Sequence, residues 1–302
     1  MSKDTNTAQP YGGEAKSRAR TVTVPEILSM KGGDTKIACL TAYDYATGVT
    51  ADESGADLIL VGDSLAMVVL GHEDTLSVTM DEMIHHTRAA GRGVKRALLV
   101  ADMPFMSYHV SLEQAVSNAG RLVQEGRTKA VKLEGGRLMA DRVRAIVDAG
   151  IPVMGHLGLT PQSINTFGGF KAQAKTTDAV KSLLEDAQAL VEAGVFSLVL
   201  EAIPVEAAEI VTNHIPVPTI GIGAGNVTDG QILVWHDVLG MFDRFTPKFV
   251  RRYADLGKEA TVALSRYCED VHHGRFPAEK NTLHMSDEEL PGLRKVKPRK
   301  RK

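Results

Sequence analysis

Apolar and polar positions along this chain switch between two periods, and the switching predicts a fold. Short unbroken apolar runs recur at Lys36–Thr41, Leu58–Gly62, Ala97–Ala101, Lys129–Leu133, Ile151–Gly155, Ser197–Leu200 and Pro218–Ile222, with a last one near Leu233–Val238. Runs of this length, apolar on both faces and bounded by turn residues, read as strands buried in a parallel sheet. Between them the period lengthens to that of a helix: Leu112, Ala115, Val116, Ala119, Leu122 and Val123 form one stripe. That helix opens on Ser111-Leu112-Glu113-Gln114, a capping-box pattern, and Thr79 with Glu82 offers another. Gly55, Gly126, Gly150 and Gly194 end successive helices, where glycine accepts the left-handed conformation.

Eight strands alternating with helices predict an α/β fold, a (β/α)8 TIM barrel; a doubly wound open sheet is the alternative. The connection between the seventh and eighth strands is too short for a full helix. Thr23-Val24-Pro25-Glu26 reads as a helix start with proline in the first turn, placed to close the bottom of the barrel. Residues 247–273 read as one or two C-terminal surface helices. The expected organisation is a disordered extension over residues 1–20, a single barrel catalytic domain over 21–278 and a polar, basic tail over 279–302.

Composition narrows the class. The 302 residues are 43% hydrophobic and 24% charged with net charge -2, as in an ordinary soluble protein. No apolar stretch approaches the roughly 18 residues of a membrane helix, and the first 20 residues lack an apolar secretory core. Cys39 and Cys268 are too few for a disulfide framework or a thiolate zinc site, so a reducing cytoplasm is expected. Arg294 to Lys302 is dense in Lys and Arg without interleaved aromatics, which reads as a solubilising tail and not as a nucleic-acid site.

The candidate chemistry lies where the runs stop. Four of them stop at an acid, Asp63, Asp102, Glu134 and Glu201, and a fifth stops at His156. In a barrel the C-terminal strand ends form the active-site face, so these groups would share one mouth. Acids gathered there repel one another unless a cation or substrate offsets the charge. Oxygen donors without cysteine favour a hard divalent ion, Mg²⁺ before Mn²⁺ or Zn²⁺. Lys132, two residues before Glu134, projects to the same side of its strand, either in a structural ion pair or awaiting an anion. Ser64 is placed to hydrogen-bond a carboxylate or to cap a helix. His156 could polarise a substrate or satisfy buried groups. Gly221-Ile222-Gly223-Ala224-Gly225 lacks the acidic partner of a dinucleotide fingerprint and reads as a strand-end turn. The long segment Leu157 to Lys175, with Phe167-Gly168-Gly169-Phe170, reads as a lid or binding loop whose Lys171 and Lys175 could attract an anionic co-substrate.

Six motifs then stand in order: Thr41–Asp44 (TAYD), Val61–Ser64 (VGDS), Ala101–Phe105 (ADMPF), Val131–Gly136 (VKLEGG), Gly155–Ser163 (GHLGLTPQS) and Ile220–Gly225 (IGIGAG). In these the chain, over roughly Thr23 to Pro277, closely resembles the ketopantoate hydroxymethyltransferase family. One departure is Ala174, where the family pattern carries glycine. The resemblance implies a Mg²⁺-dependent barrel assembled as a homodecamer. It implies transfer of a one-carbon unit from 5,10-methylenetetrahydrofolate to 3-methyl-2-oxobutanoate, through a metal-stabilised enolate, giving 2-dehydropantoate for pantothenate synthesis. By the same resemblance Asp63, Asp102 and Glu134 hold the metal directly or through water, Ser64, Asp102 and Lys132 contact the keto acid, and Glu201 takes the proton. Small-molecule substrates, with no nucleic acid and no membrane, are the expected partners. A rival enzyme reading is a Mg²⁺-dependent carbon–carbon lyase or mutase, although no cysteine-bearing active-site loop is present. A non-catalytic scaffold would be expected to have lost some of the mouth acids, and all of them are here.

Overall fold

The computed structural model describes residues 21–293 and residue 296. The expected extension over residues 1–20 and nearly all of the basic run lie outside the described residues. The chain divides into two compact units between Tyr253 and Ala254, whereas the sequence pattern carries one domain to residue 278.

The first unit is a closed barrel of eight parallel strands in sequential order. The strands are β1 Ile37–Thr41, β2 Leu58–Val61, β3 Leu98–Asp102, β4 Ala130–Glu134, β5 Val153–Gly158, β6 Ser197–Glu201, β7 Thr219–Ile222 and β8 Gly230–Leu233. The helices of this unit are α1 Val24–Ser29, α2 Tyr45–Glu53, α3 Leu65–Val68, α4 Met80–Gly93, α5 Leu112–Gln124, α6 Ala140–Asp148, α7 Ile164–Phe167, α8 Thr177–Ala193, α9 Val205–His214 and α10 Trp235–Val238. No helix separates β7 from β8, as the short connection requires. In the second unit α11 Leu256–His272 is followed by the four-residue α12 Leu290–Leu293. No helix among the described residues is long and apolar enough to cross a membrane.

Two apolar layers hold the barrel. Inside it, Ile37, Leu58, Leu98, Met154 and Ile220 form one buried cluster. Ile27 of α1 belongs to that cluster and is fully buried, so α1 closes the N-terminal end of the barrel as its proline start predicts. Outside, alternate strand residues such as Ile59, Leu99, Val131 and Leu198 pack with helix residues such as Met83, Leu122 and Leu190. Cys39 lies in the inner cluster, where burial pushes its thiol well above the ordinary range and makes it inert.

Four local expectations need correction. The last strand is Gly230–Leu233, not Leu233–Val238, because the apolar residues after Leu233 turn into α10. Its first residue is glycine for a steric reason: a Cβ there would lie 2.5 Å from the Ile37 carbonyl oxygen. The fifth strand starts at Val153 and runs through His156 to Gly158, since Pro152 has no N–H for the ladder. At the end of α5 the left-handed residue is Arg127 (φ 61°), not Gly126. Of the two capping patterns, Thr79 and Glu82 form the reciprocal pair. Ser111 accepts from Gln114 N, but the Gln114 side chain accepts from Val110 N instead.

Asp229, 5% exposed, ties the two ends of the barrel sequence together. Its carboxylate accepts from Gly32 N (2.9 Å), Thr219 N (2.8 Å) and Thr219 Oγ1 (3.1 Å), and pairs with Lys31 Nζ at 3.0 Å. Burial works against the ionised form, but these donors outweigh it and hold the carboxyl below its usual range. A depressed folded pKa contributes stability above the unfolded value near 4, and the contribution fades as pH falls through the folded pKa. Asp229→Asn should therefore cost about 2–3 kcal/mol in urea unfolding at pH 7, with the gap to wild type closing below about pH 4. A pH-independent gap would show that the charge is not what stabilises.

Candidate active site

The barrel sets its chemistry by register. Asp102 at the end of β3 pairs with Lys132 on β4, Glu134 at the end of β4 pairs with His156 on β5, and Gly158 pairs with Glu201 at the end of β6. Asp63 follows β2 by two residues. All seven candidates, Asp63, Ser64, Asp102, Lys132, Glu134, His156 and Glu201, line one cavity of about 500 Å³. The strand-end acids therefore do meet at one mouth.

Two close approaches depend on missing side chains. A Cβ on Gly62 would lie 2.8 Å from Ser64 Oγ. Gly158 (φ 92°) would put one 2.3 Å from the Glu201 carbonyl oxygen. Next to Glu201, Ala202 holds a left-handed φ of 47°, a strained turn that directs the strand end; its N–H donates to Ile222 O and its carbonyl accepts from Gln173 N. Ala174 is likewise left-handed (φ 53°), a conformation that glycine would adopt without steric cost.

Charge contacts run through the cluster. Lys132 Nζ stands 3.0 Å from Asp102 Oδ1 and 3.3 Å from His156 Nδ1. His156 Nδ1 is 3.3 Å from Glu134 Oε1, and its Nε2 is 3.2 Å from Glu201 Oε2. Asp63 N donates to Asp102 Oδ2 at 2.9 Å. Ser64 occupies the N-cap position of α3 without capping it; its hydroxyl shares a 2.9 Å hydrogen bond with Tyr43 OH.

Burial penalises every one of these charges, and the neighbours decide which survive. For Lys132, burial would strip the proton, but Asp102, Glu134 and Asp63 outweigh it and keep the ammonium. For His156, burial and Lys132 oppose protonation, while the Glu134 and Glu201 carboxylates at its two nitrogens push it up to about 9. The imidazolium form is therefore the resident one near neutral pH. Glu134 is lowered: its burial is outweighed by His156, Lys132 and the Gln162 N–H. Asp63 goes the other way, well above the carboxylate range, through burial and the charges of Asp102 and Glu134. Asp102 is raised as well, chiefly by burial.

With all four acids ionised, one ammonium and one imidazolium would leave an excess of negative charge, which a divalent cation would offset and which otherwise keeps the proton on Asp63. Asp102 Oδ1 and Glu134 Oε1 are buried without a directed hydrogen bond, so both have a lone pair to give. Among the described residues no three His, Cys, Asp or Glu side chains cluster tightly enough to hold an ion by themselves. The expected set Asp63, Asp102 and Glu134 is therefore not brought within joint reach of one ion here; its donors are carboxylate oxygens, the kind a hard divalent ion takes.

Gln162, in the loop after β5, escaped the sequence pattern. Its Nε2 donates to Asp63 Oδ2 (2.8 Å) and Met103 O (3.0 Å), and its backbone N–H donates to Glu134 Oε2 (2.9 Å). Its Oε1 accepts from Tyr108 OH at 2.6 Å. Only its place in the Gly155–Ser163 motif, within a long loop between site residues, pointed to it. From that same loop Phe170 and Ala172 line the cavity; Lys171 and Lys175 do not. The glycine turn after β7 serves packing, Gly223 lying against the ring of Phe249.

A family model described as Ketopantoate hydroxymethyltransferase matches residues 21–279. The chain is 60% identical over 279 residues to the 3-methyl-2-oxobutanoate hydroxymethyltransferase of Syntrophobacter fumaroxidans (strain DSM 10017 / MPOB), covering 92% of this chain and 99% of that protein. To the protein of that name from Enterococcus faecalis (strain ATCC 700802 / V583) it is 56% identical over 258 residues, 85% of this chain and 94% of the relative. Among solved structures, a 2,3-dimethylmalate lyase of the PEP mutase/isocitrate lyase superfamily aligns with TM-score 0.55 at 14% identity, covering 90% of this chain and 91% of that one. An oxaloacetate acetylhydrolase aligns with TM-score 0.54 at 13% identity, covering 89% and 91%. At those identities the structures share the barrel fold.

Gln162→Leu keeps the volume but leaves the Tyr108 hydroxyl and the Asp63 carboxyl each short of a partner. Chemical unfolding should show a loss of about 2–4 kcal/mol. A loss under about 0.5 kcal/mol, the scale of a surface substitution, would mean the Gln162 side chain does not hold Asp63.

Proposed function

The chain belongs to the ketopantoate hydroxymethyltransferase family, and from that premise we propose the full reaction that its cavity serves. It is a hydroxymethyltransferase acting on 3-methyl-2-oxobutanoate. The one-carbon donor is 5,10-methylenetetrahydrofolate, and with one water the products are 2-dehydropantoate and tetrahydrofolate. The work belongs to pantothenate synthesis in the cytoplasm. The observation that supports this most is the buried Lys132 ammonium among Asp63, Asp102 and Glu134, with Glu201 at the edge of the same cavity.

Asp63 and Asp102 would hold Mg²⁺, and Glu134, engaged by Gln162 and His156, would reach it through water. When bound there, the ion supplies Lewis acidity that draws charge onto the 2-keto oxygen and makes the C3–H acidic. Lys132 and the Ser64 hydroxyl hold and orient the anionic keto acid. Glu201 is the base. Its Oε2 lies 3.2 Å from His156 Nε2, an ion-pair contact without hydrogen-bond geometry, so its carboxylate oxygens are available to take the C3 proton. Its side chain is 16% exposed, dry enough to strengthen the contact and open enough to meet substrate. His156, bridging Glu134 and Glu201, fixes the base's position and is not itself the proton acceptor. Assembly as a homodecamer belongs to the same reading; on α11 the apolar Val262, Leu264 and Tyr267 are exposed in the single chain, as a subunit contact would require.

Exchange of the C3 hydrogen of 3-methyl-2-oxobutanoate into D₂O, followed by NMR without folate, isolates the proton step. Glu201→Ala should slow it by about 100-fold or more while keto-acid binding stays near wild type, and EDTA should stop it in the wild-type protein. Rapid exchange by Glu201→Ala would overturn the assignment of the base.

A further inference from the structure

The cavity has a second half that the keto-acid chemistry does not use. Cavities of about 300–1,000 Å³ enclose drug-sized ligands, so 500 Å³ is far more room than a branched five-carbon acid fills. Away from the ion cluster the walls are aromatic. Four of the chain's eight phenylalanines, Phe170, Phe242, Phe245 and Phe249, line this one space. Phe170, Phe245 and Phe249 are left 39–47% exposed there, a group of water-facing rings that a bound flat ligand would cover. Their seats are built. Phe245 lies 6.4 Å from Phe170 and 5.4 Å from Phe242, centroid to centroid, and Phe249 rests where a Cβ on Gly223 would come within 2.6 Å of it.

A further carboxylate, Asp237, lines the same cavity. Asp237 lies on α10, which is pinned to the end of β1 by a 2.9 Å hydrogen bond from Trp235 N to Thr41 Oγ1. Among the described residues no group donates a hydrogen bond to its carboxyl; Arg252 acts on it through charge alone. Burial pushes it up to about 6 against that charge, so it remains largely ionised at neutral pH. It is an acceptor-only group with both oxygens open, lining the same cavity as the four phenylalanines.

We propose that Phe170, Phe245, Phe249 and Asp237 form the subsite for the pterin ring of the one-carbon donor, with Asp237 accepting two hydrogen bonds from the ring's pyrimidine edge. The inference rests on the folate-dependent reading above. The 2-amino-4-oxopyrimidine edge offers N3–H and the 2-amino group side by side, two donors that a carboxylate matches in bidentate fashion. The flat ring packs on the phenylalanine faces. Asp237 is thereby a specificity residue for the donor and takes no part in deprotonating the keto acid.

The test is direct binding, read by calorimetry on the full-length protein with Mg²⁺ and 3-methyl-2-oxobutanoate present. Tetrahydrofolate and 6-methyltetrahydropterin, which lacks the aminobenzoyl-glutamate tail, are the probes. Asp237→Asn places an amide N–H against a donor edge and should weaken both by about 10- to 100-fold. Phe249→Leu, which leaves Asp237 alone, should also weaken both, and thermal melts confirm that each variant is folded. Wild-type affinity for both probes in Asp237→Asn overturns the subsite. Loss confined to tetrahydrofolate overturns it too, since Asp237 would then meet the tail. Binding is read without turnover, so the two readings fail separately. Asp237-dependent binding by a protein that forms no 2-dehydropantoate would support the subsite and count against the reaction alone.

Discussion

Inside the C-terminal mouth of the barrel a lysine ammonium is held among three carboxylates, where burial alone would have removed its proton. Lys132 stays charged because Asp102 stands 3.0 Å away and because Glu134 and Asp63 add their fields. Asp63 in turn cannot easily ionise beside Asp102 and Glu134. The cluster is short of positive charge and dry, and that combination gives a small anion and a divalent cation a reason to bind together. The polar positions around it follow from this constraint. The His156 imidazole is pushed toward its charged form because two carboxylates face its nitrogens, Gln162 engages Asp63 and Glu134, and Tyr43 engages the hydroxyl of Ser64.

The barrel was legible in the sequence because parallel strands buried on both faces must be runs of Val, Ile and Leu. The acids stood out because each ended such a run. What depended on chain folding back in space was not legible. Gln162 stands in the Gly155–Ser163 motif, but nothing local gives its role; it acquires its four hydrogen bonds only when the loop after β5 crosses the mouth. The eighth strand was misplaced because its first residue is a glycine chosen by the Ile37 backbone, while the apolar Val234 and Trp235 that follow it leave the sheet. Gly126 looked like a left-handed helix end, yet Arg127 takes that conformation. At Ala174 the positive φ is a feature that only the backbone reveals.

The likeness to 2,3-dimethylmalate lyase and oxaloacetate acetylhydrolase structures concerns the barrel and stops there. In this chain the mouth is lined by two kinds of wall. One side is charged and buried, suited to making a carbon nucleophile from an oxo-acid. The other is walled by phenylalanines with a single open carboxylate on α10, suited to a flat heterocycle bearing donors. A transferase needs both, since the two reactants must meet with their reacting carbons aligned.

The central claim is that the charge deficit at Asp63 and Asp102 is met by a divalent ion that also carries the keto acid. Crystals soaked with Mn²⁺ as an anomalous stand-in for Mg²⁺, together with 3-methyl-2-oxobutanoate, test it most directly. The account predicts one anomalous peak against the Asp63 and Asp102 carboxylates, with the keto acid's two adjacent oxygens on the same ion. A keto acid bound in the mouth with no ion beside those two residues would contradict it.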